Sequence, residues 1–283
     1  MNKVKIVVDS VSTIPWKKAE ELGIELVPYY VNFEDESIRE GPEFDLKVFY
    51  QKLRTTKTWP TTSHPTYRDI EEIFSRLSKI TREIIYLVVS PKWTETYNIA
   101  CQVREKFKNM RIELCDIGSA LGKLGLIALE ANKMAKEGRT IDEIIEQIFY
   151  LEKRSELFLV VDTLKYLAKG GRIGKVKALL GSTLPIKPII TTKEGVAVPA
   201  GKTLSHNQAL NWIINRIKSD LRKFNSNKIK CFIHDVDNKE MISLLKSKIV
   251  ENFECEEIWE VELSPLIGTH TGPGTWGVSY LIV

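Results

Sequence analysis

Four histidines and several loops rich in hydroxyl side chains are the residues of this 283-residue chain with the most chemistry to offer. His270 stands in "IGTHTGPGTWG" (267–277), hemmed in by threonines and glycines, and the second half of that stretch matches G-x-G-x-x-G. A dinucleotide fingerprint needs its glycine turn to follow a strand and open a helix whose N-terminus faces the pyrophosphate. Here the glycines lead into "VSYLIV", β-branched and aromatic, which predicts a terminal strand and leaves no helix to face a phosphate. A second phosphate candidate, "KGGRIGKV" (169–176), lacks the P-loop glycine five residues before Gly174 and has Val176 where a metal-binding Ser or Thr should stand. Both nucleotide signatures fail. There is no G-x-S-x-G elbow, no H-E-x-x-H and no evident pair of carboxylates. "HDVD" (234–237) reads as a strand end running into a helix cap rather than as a metal site. No catalytic residue, metal ligand or cofactor is assigned. A lone histidine is more often structural than catalytic, which discounts His64, His206 and His234 as well as His270.

What remains is a set of hydroxyls and helix-terminal amides. "PTTSHPT" (60–66) offers Thr61, Thr62 and Ser63 between two stiffening prolines. A cap for a helix starting at Thr66 accounts for Thr66 but leaves the three preceding hydroxyls open. "SPKWTETYNIA" (90–100) joins a buried strand to a helix, with Thr94 at the expected helix N-terminus, where free N–H groups and the helix dipole favour an anion. As an ordinary N-cap, Thr94 needs no ligand. Together with His270 the set suits holding a carboxylate better than breaking a bond.

These loops need a scaffold, and the chain is long enough for two domains with their own cores. It is 43% hydrophobic and 28% charged, as soluble globular proteins are. The net charge of +4 is spread over 41 basic and 37 acidic residues, too diffuse for a nucleic-acid surface. No stretch has the length of a membrane span, and "MNKVKIVVDS" opens on a strand rather than a signal peptide; a cytoplasmic protein is expected. Cys101, Cys115, Cys231 and Cys255 lack C-x-x-C spacing and lie in apolar segments, which predicts buried free thiols.

Short β-rich runs, "VKIVVDS", "IELVPYYV", "EIIYLVVS" and "RIELCD", alternate with helical patterns at 46–55, 66–79, 94–107 and 120–137. Thr66 with Asp69, Thr140 with Glu143, and Ser205 with Gln208 have capping-box spacing. After the helix at 141–152 come "LFLVVD", "IKPIIT", "KIKCFIHD", "CEEIWEVEL" and "GVSYLIV". Leu210, Ile213, Ile214, Ile217 and Leu221 form the buried stripe of a helix after Ser205. The reading is α/β: two α/β domains, 1–153 and 154–283, with largely parallel sheets. The ligand is expected in the crevice between them.

Six collinear pieces resemble the DegV family of fatty-acid-binding proteins across nearly the whole chain. "DSVSTIP" (9–15) resembles the family's opening D-S-[ST]-x-D-[LI]-P and is followed by "LVPYYV" (26–31). "PTTSHPT" resembles T-S-Q-P-[ST], and "TETYNIA" resembles S-G-T-Y-x-[ST]-A. "LKYLAKGGRIGKVKALLGSTLPIKPI" (164–189) resembles the GGRI-containing segment, and "THTGPGTWG" the closing H-x-G-P-G-x-x-G. The resemblance implies an acyl chain in a tunnel between two α/β domains. By position it assigns the carboxylate to Thr62, Thr94 and His270, with Ser63, Arg172 and Thr269 in support. It implies a lipid carrier without catalysis of its own. Some members present the acid to the ATP-binding subunit of a fatty acid kinase, whose docking would involve Lys202 and the position of Leu204. The chain departs from the pattern at Trp93, Thr94, Glu95, His64 and Leu204, where leucine, serine, glycine, glutamine and, in kinase-partnered members, arginine are usual.

The physics suits such a ligand. Burying an acyl chain of palmitate length contributes on the order of 10 kcal/mol at about 0.8 kcal/mol per methylene. An unpaired buried carboxylate would cancel much of it, and hydroxyls, amides and a histidine offset that loss. Two rivals stand beside this reading. One is an enzyme using His270 on a small carbonyl ligand, as in dihydroxyacetone-kinase-like proteins; the other is a DNA- or regulator-binding module, against which the mixed charge speaks.

Overall fold

The computed structural model describes residues 4–34, 36–56, 58–180 and 185–283. Residues 1–3, at the start of the first expected strand, and 181–184, within the GGRI-containing segment, lie outside them. The chain begins β1 (Val4–Asp9), α1 (Trp16–Leu22), β2 (Glu25–Val27), β3 (Tyr30–Asn32), β4 (Ser37–Arg39), α2 (Leu46–Thr55) and β5 (Thr61–Ser63). It continues α3 (Tyr67–Leu77), β6 (Glu83–Val88), α4 (Thr96–Arg104), β7 (Arg111–Asp116), α5 (Leu121–Lys136) and α6 (Ile141–Glu152). Then come β8 (Ser155–Val160), α7 (Lys165–Lys169), β9 (Lys187–Lys193), β10 (Val196–Thr203), α8 (His206–Lys223), β11 (Lys228–Asp235), α9 (Lys239–Asn252), β12 (Glu254–Glu262), α10 (Pro265–Thr271) and β13 (Trp276–Ile282).

The first sheet, ordered β2-β1-β6-β7, is wholly parallel. Its central strands are apolar on both faces, as a sheet covered on both sides requires. Val7, Ile84, Tyr86 and Val88 face Ile70, Phe74 and Leu77 of α3 and Ala100 and Val103 of α4. The alternate residues Ile6, Val8, Ile85 and Leu87 face α5. That helix is buried around almost its whole circumference because it also packs on a second sheet, through Leu157, Leu159, Phe232 and Leu281.

The second sheet, ordered β10-β9-β8-β13-β11-β12, departs from the expected parallel pattern. Only β11 and β12 run parallel; the other four pairings are antiparallel. Two causes are local. Between β8 and β9 no long helix among the described residues carries the chain back for a parallel return, since α7 has only five residues. Glu194 and Gly195 both adopt positive φ (51° and 72°), the backbone of a two-residue hairpin turn, so β10 folds straight back on β9. The terminal strand β13 then inserts antiparallel between β8 and β11.

"IELVPYYV" is also two strands rather than one. Pro28 separates β2 of the parallel sheet from β3, which centres a third sheet, β4-β3-β5, that carries the hydroxyl-rich loop as its edge. The expected caps form at Thr66 with Asp69 and at Thr140 with Glu143. At α8, Ser205 accepts from the Gln208 amide, but the Gln208 side chain reaches the Leu204 N–H, one residue early. Of the four cysteines, all free thiols, Cys115 and Cys231 are buried whereas Cys101 and Cys255 are half-buried.

Candidate functional site

A cavity of about 370 Å³ opens where the three sheets meet. Its walls are drawn from early and late segments alike, and they are mainly apolar: Val11, Leu121, Leu157, Leu159, Val161, Leu167, Ile190 and Leu266 among them. Against these stand Thr62, Thr94, His270 and Arg172, so the structure brings all three expected carboxylate ligands and the supporting arginine to one cavity.

Thr62 is placed by strand alternation. It is the middle residue of β5, paired with Val31, and its side chain projects opposite to those of Thr61 and Ser63. Its Oγ1 lies 2.8 Å from His270 Nε2. Ser63 borders the cavity too, but its hydroxyl accepts from Asn32 Nδ2 at 2.7 Å.

His270 does not sit on a loop, as the run of glycines suggested, but in the last turn of α10, a helix with Pro265 in its first turn. Gly272 (φ 81°) ends the helix in a conformation that side chains rarely adopt, and the turn returns the chain to β13. The imidazole is buried, and its Nδ1 has no hydrogen-bond partner among the described residues. It faces Gly170 of the GGRIG segment, where a Cβ would overlap Nδ1 and come within 2.9 Å of Cε1. Burial, and then the positive charge of Arg172, lowers the His270 pKa to about 3, so the ring is neutral at physiological pH. An orphaned acceptor is better tolerated in a protein interior than an orphaned N–H. The neutral ring therefore keeps its proton on Nε2 and donates it to Thr62 Oγ1, which leaves the Thr62 hydroxyl proton free for the cavity.

Arg172 supplies the positive charge that His270 does not. Its guanidinium donates to the carbonyls of Gly170 (2.9 Å) and Trp93 (3.2 Å), tying the GGRIG segment to the loop before α4. Thr94 lies in that loop. It is not the helix N-cap: α4 begins at Thr96, with Glu95 at the cap position and making no side-chain cap bond. The Thr94 hydroxyl lies 2.9 Å from that of Thr96. Thr94 is thus not the cap residue, although its hydroxyl also accepts from the amide of Thr96, the first residue of α4, at 3.4 Å, and its side chain borders the cavity.

Thr269 departs from expectation. It is fully buried, its hydroxyl bonds back to the Pro265 carbonyl at 2.9 Å, and the neighbour that reaches the cavity is Thr271. Lys202 and Leu204, at the far end of β10, do not line the cavity either, and Leu204 is 57% exposed. Asp235 of "HDVD" accepts from the Asn238 amide at 3.0 Å and from Lys239, ending β11 and starting α9 as expected of a strand end and cap.

The polar cavity residues not singled out from the sequence include Tyr29 and Thr191. Tyr29 is the first tyrosine of "LVPYYV", and a phenol inside an apolar run gave the only signal. Thr191 lines the cavity with its hydroxyl buried and without a partner among the described residues, and nothing in "IKPIIT" marks it.

Comparison with known proteins places this geometry. Residues 3–283 match the family model described as an uncharacterised protein family, DegV. A DegV domain-containing protein of Clostridium perfringens is 32% identical over 98% of this chain and 98% of its own. One from Caldanaerobacter subterraneus is 30% identical over 99% of both. Among solved structures, a Thermus thermophilus DegV family protein described for its fatty acid binding superposes with a TM-score of 0.93 at 26% identity, over 99% of this chain and 100% of that one. DegV of Bacillus subtilis, described as a fatty acid binding protein, gives 0.90 at 25% identity over the full length of both.

Proposed function

Since the chain belongs to the DegV family of fatty acid binding proteins, we propose that it holds one long-chain fatty acid in the cavity, with the carboxylate at Thr62, Thr94 and His270, the last acting through the Thr62 hydroxyl to which it donates, and the acyl chain along the apolar wall. The observation that carries this reading is the Thr62–His270 pair at 2.8 Å on a mainly apolar cavity. Thr62 has a proton to give, Arg172 supplies a fixed positive charge, and both suit an anion better than a neutral head group. The wall residues are contributed from both sides of Lys153, which supports a tunnel between domains at 1–153 and 154–283.

The reading is one of binding and presentation. A His270 general base would need its second nitrogen held by an orienting group, and Nδ1 has none among the described residues. That favours a carrier over the carbonyl-processing alternative. We extend the proposal to a kinase partner that receives the bound acid, its contact running over Lys202 and Leu204. No helix among the described residues is long and apolar enough to cross a membrane.

Denaturing extraction of protein purified from lipid-replete bacterial cells, followed by mass spectrometry, tests the central claim. The expected product is one equivalent of a saturated or monounsaturated acid of roughly C14 to C18, in line with about 0.8 kcal/mol per buried methylene. Protein that yields no stoichiometric fatty acid would refute it.

A further inference from the structure

Thr62 and Thr94 both border the cavity, but they differ in whether they have a proton to give it. Thr62 has one, because His270 donates to it. Thr94 ends a chain of hydroxyls that runs inward. Its Oγ1 lies 2.9 Å from Thr96 Oγ1, which lies 2.8 Å from the Tyr29 hydroxyl, which lies 3.2 Å from Asp9 Oδ2. Asp9 closes β1 and is wholly buried; Oδ2 also accepts from the Val89 amide at 2.8 Å, and Oδ1 accepts from the Tyr86 hydroxyl.

The protons in this chain can be counted. Each hydroxyl of Tyr29, Thr96 and Thr94 owns one, and three links join the four side chains in series, with a further contact between the Tyr29 and Thr94 hydroxyls. With Asp9 ionised, Tyr29 donates to Asp9, Thr96 to Tyr29 and Thr94 to Thr96, so Thr94 turns only lone pairs to the cavity. A ligand carboxylate would then meet an acceptor. One more proton reverses the chain. The Tyr86 hydroxyl has no other partner among the described residues and keeps donating to Oδ1, so the added proton goes on Oδ2. From there Asp9 donates to Tyr29, Tyr29 to Thr96 and Thr96 to Thr94, and the Thr94 proton emerges towards the ligand.

We infer that Asp9 is a positioning residue for the head group: a carboxylate seated against Thr94 is taken up together with one proton, held between two carboxylates by the Tyr29–Thr96–Thr94 chain. The inference rests on the fatty-acid reading above. Burial raises the Asp9 pKa to about 7, against the three hydrogen bonds that favour its charge. The groups facing it are the phenols of Tyr29 and Tyr86 and the Val89 amide, and no charged side chain contributes. On the cavity side the charged or titratable groups are Arg172, Lys92, Glu95, His64 and His270, the last held neutral. Proton uptake should therefore be nearly absent at pH values where free Asp9 is already protonated. Above about pH 7 it should approach one per ligand, with affinity falling about tenfold per pH unit.

The test is calorimetry with decanoate and with decanol, at about pH 6 and about pH 8, in two buffers of different ionisation heat, which counts the protons taken up. Expected for the unaltered protein are about one proton per decanoate at the higher pH, about none at the lower, and none for decanol, which can donate its own hydroxyl proton to Thr94. Tyr29→Phe removes the hydroxyl through which both Thr96 and Thr94 reach Asp9 and frees the Thr94 proton, so uptake and the pH slope should vanish while decanoate still binds. Thr96→Ser, which keeps every hydroxyl of the chain, should leave both intact, and Asp9→Asn, which cannot gain a proton, should abolish uptake. Binding of decanol without any binding of decanoate at either pH would refute the fatty-acid reading itself. Decanoate binding with no uptake at the higher pH would overturn the role of Asp9, and uptake intact in Tyr29→Phe or Asp9→Asn would place the proton on His270 instead.

Discussion

Gly170→Ala is the sharpest probe of how His270 is held. Gly170 has φ −76° and ψ −2°, a backbone that alanine adopts freely, so the substitution carries no conformational strain. Without any clash it should stabilise the fold by about 0.4–1 kcal/mol, through the smaller entropy of the unfolded chain. The clash reverses the sign. The new Cβ overlaps His270 Nδ1, comes within 2.9 Å of Cε1, and stands 3.2 Å from the Tyr166 carbonyl. Tyr166 can give by a few tenths of an ångström, but the imidazole must leave its place and, with it, Thr62.

Overpacking of this kind costs about 1–3 kcal/mol. Set against the entropic gain, the net loss of stability should be roughly 0.5–2 kcal/mol. The larger effect should be on binding. A hydrogen bond to a charged group contributes about 1.5–3 kcal/mol, so decanoate should bind roughly 10- to 150-fold more weakly. Decanol, whose head is uncharged, should change far less. Urea unfolding and calorimetry with the two ligands measure both quantities. A Gly170→Ala protein that is more stable than its parent and binds decanoate equally well would refute the placement of His270 against Gly170.

Thr62→Val should weaken fatty acid binding by about 1–3 kcal/mol while sparing a fatty alcohol of equal length; equal losses, by calorimetry, would mean that Thr62 shapes the cavity without holding charge. His234 and His270 both have folded pKa values of about 3, from burial, so the unfolded chain binds more protons than the folded one below about pH 6.5. Their contribution is complete above that pH and is lost as pH falls towards 3, at about 1.4 kcal/mol per unit for each. Asp9, raised to about 7, acts in the opposite sense between there and its unfolded value of about 3.8, since the folded form holds the extra proton. Urea unfolding of His234→Gln between about pH 7 and pH 5 should therefore show a slope shallower than the parent's by about 1 kcal/mol per unit on average; parallel slopes would contradict it. Leu204→Arg should improve acyl-phosphate formation with a heterologous fatty acid kinase subunit and ATP, because a guanidinium pairs with carboxylates as leucine cannot. Lipid affinity should be unchanged, and efficient turnover by the unmodified protein would show that Leu204 is no handicap.

What could be read in the sequence was whatever depends on near neighbours. The helix at 46–55 and the capping boxes at Thr66 and Thr140 follow from side chains within four residues of one another. The three site loops were legible as hydroxyls and glycines out of keeping with a plain turn. What was not legible depends on partners far along the chain. Nothing around "GVSYLIV" says that it will part β8 from β11, and that insertion makes the second sheet mixed. β10 had a local signal, Glu194-Gly195 between β-branched runs, but it becomes decisive only once β9 and β10 are known to pair. Thr94 has two readings in the sequence, an ordinary helix cap and an anion ligand, because hydroxyls at a helix N-terminus suit both. In the structure its hydroxyl is engaged by Thr96, and Glu95 stands at the cap.

The six motifs that stood apart in the sequence reduce, in space, to two chains of contact with one bridge. In the first, Thr62 meets His270, and His270 rests on Gly170, so "PTTSHPT", "THTGPGTWG" and the GGRIG segment form one assembly around a neutral imidazole. In the second, Asp9 of "DSVSTIP" reaches Tyr29 of "LVPYYV", which reaches Thr96 and Thr94 of "TETYNIA". Arg172 joins them, through the carbonyls of Gly170 and Trp93. The two chains have opposite polarity at the cavity while Asp9 is ionised: Thr62 offers a proton and Thr94 a lone pair. A carboxylate can accept from the first alone, whereas an alcohol or an undissociated acid can satisfy both. Selectivity for the anion therefore depends on a residue that never touches it, and the aspartate at the start of the chain belongs to the site as much as the histidine near its end.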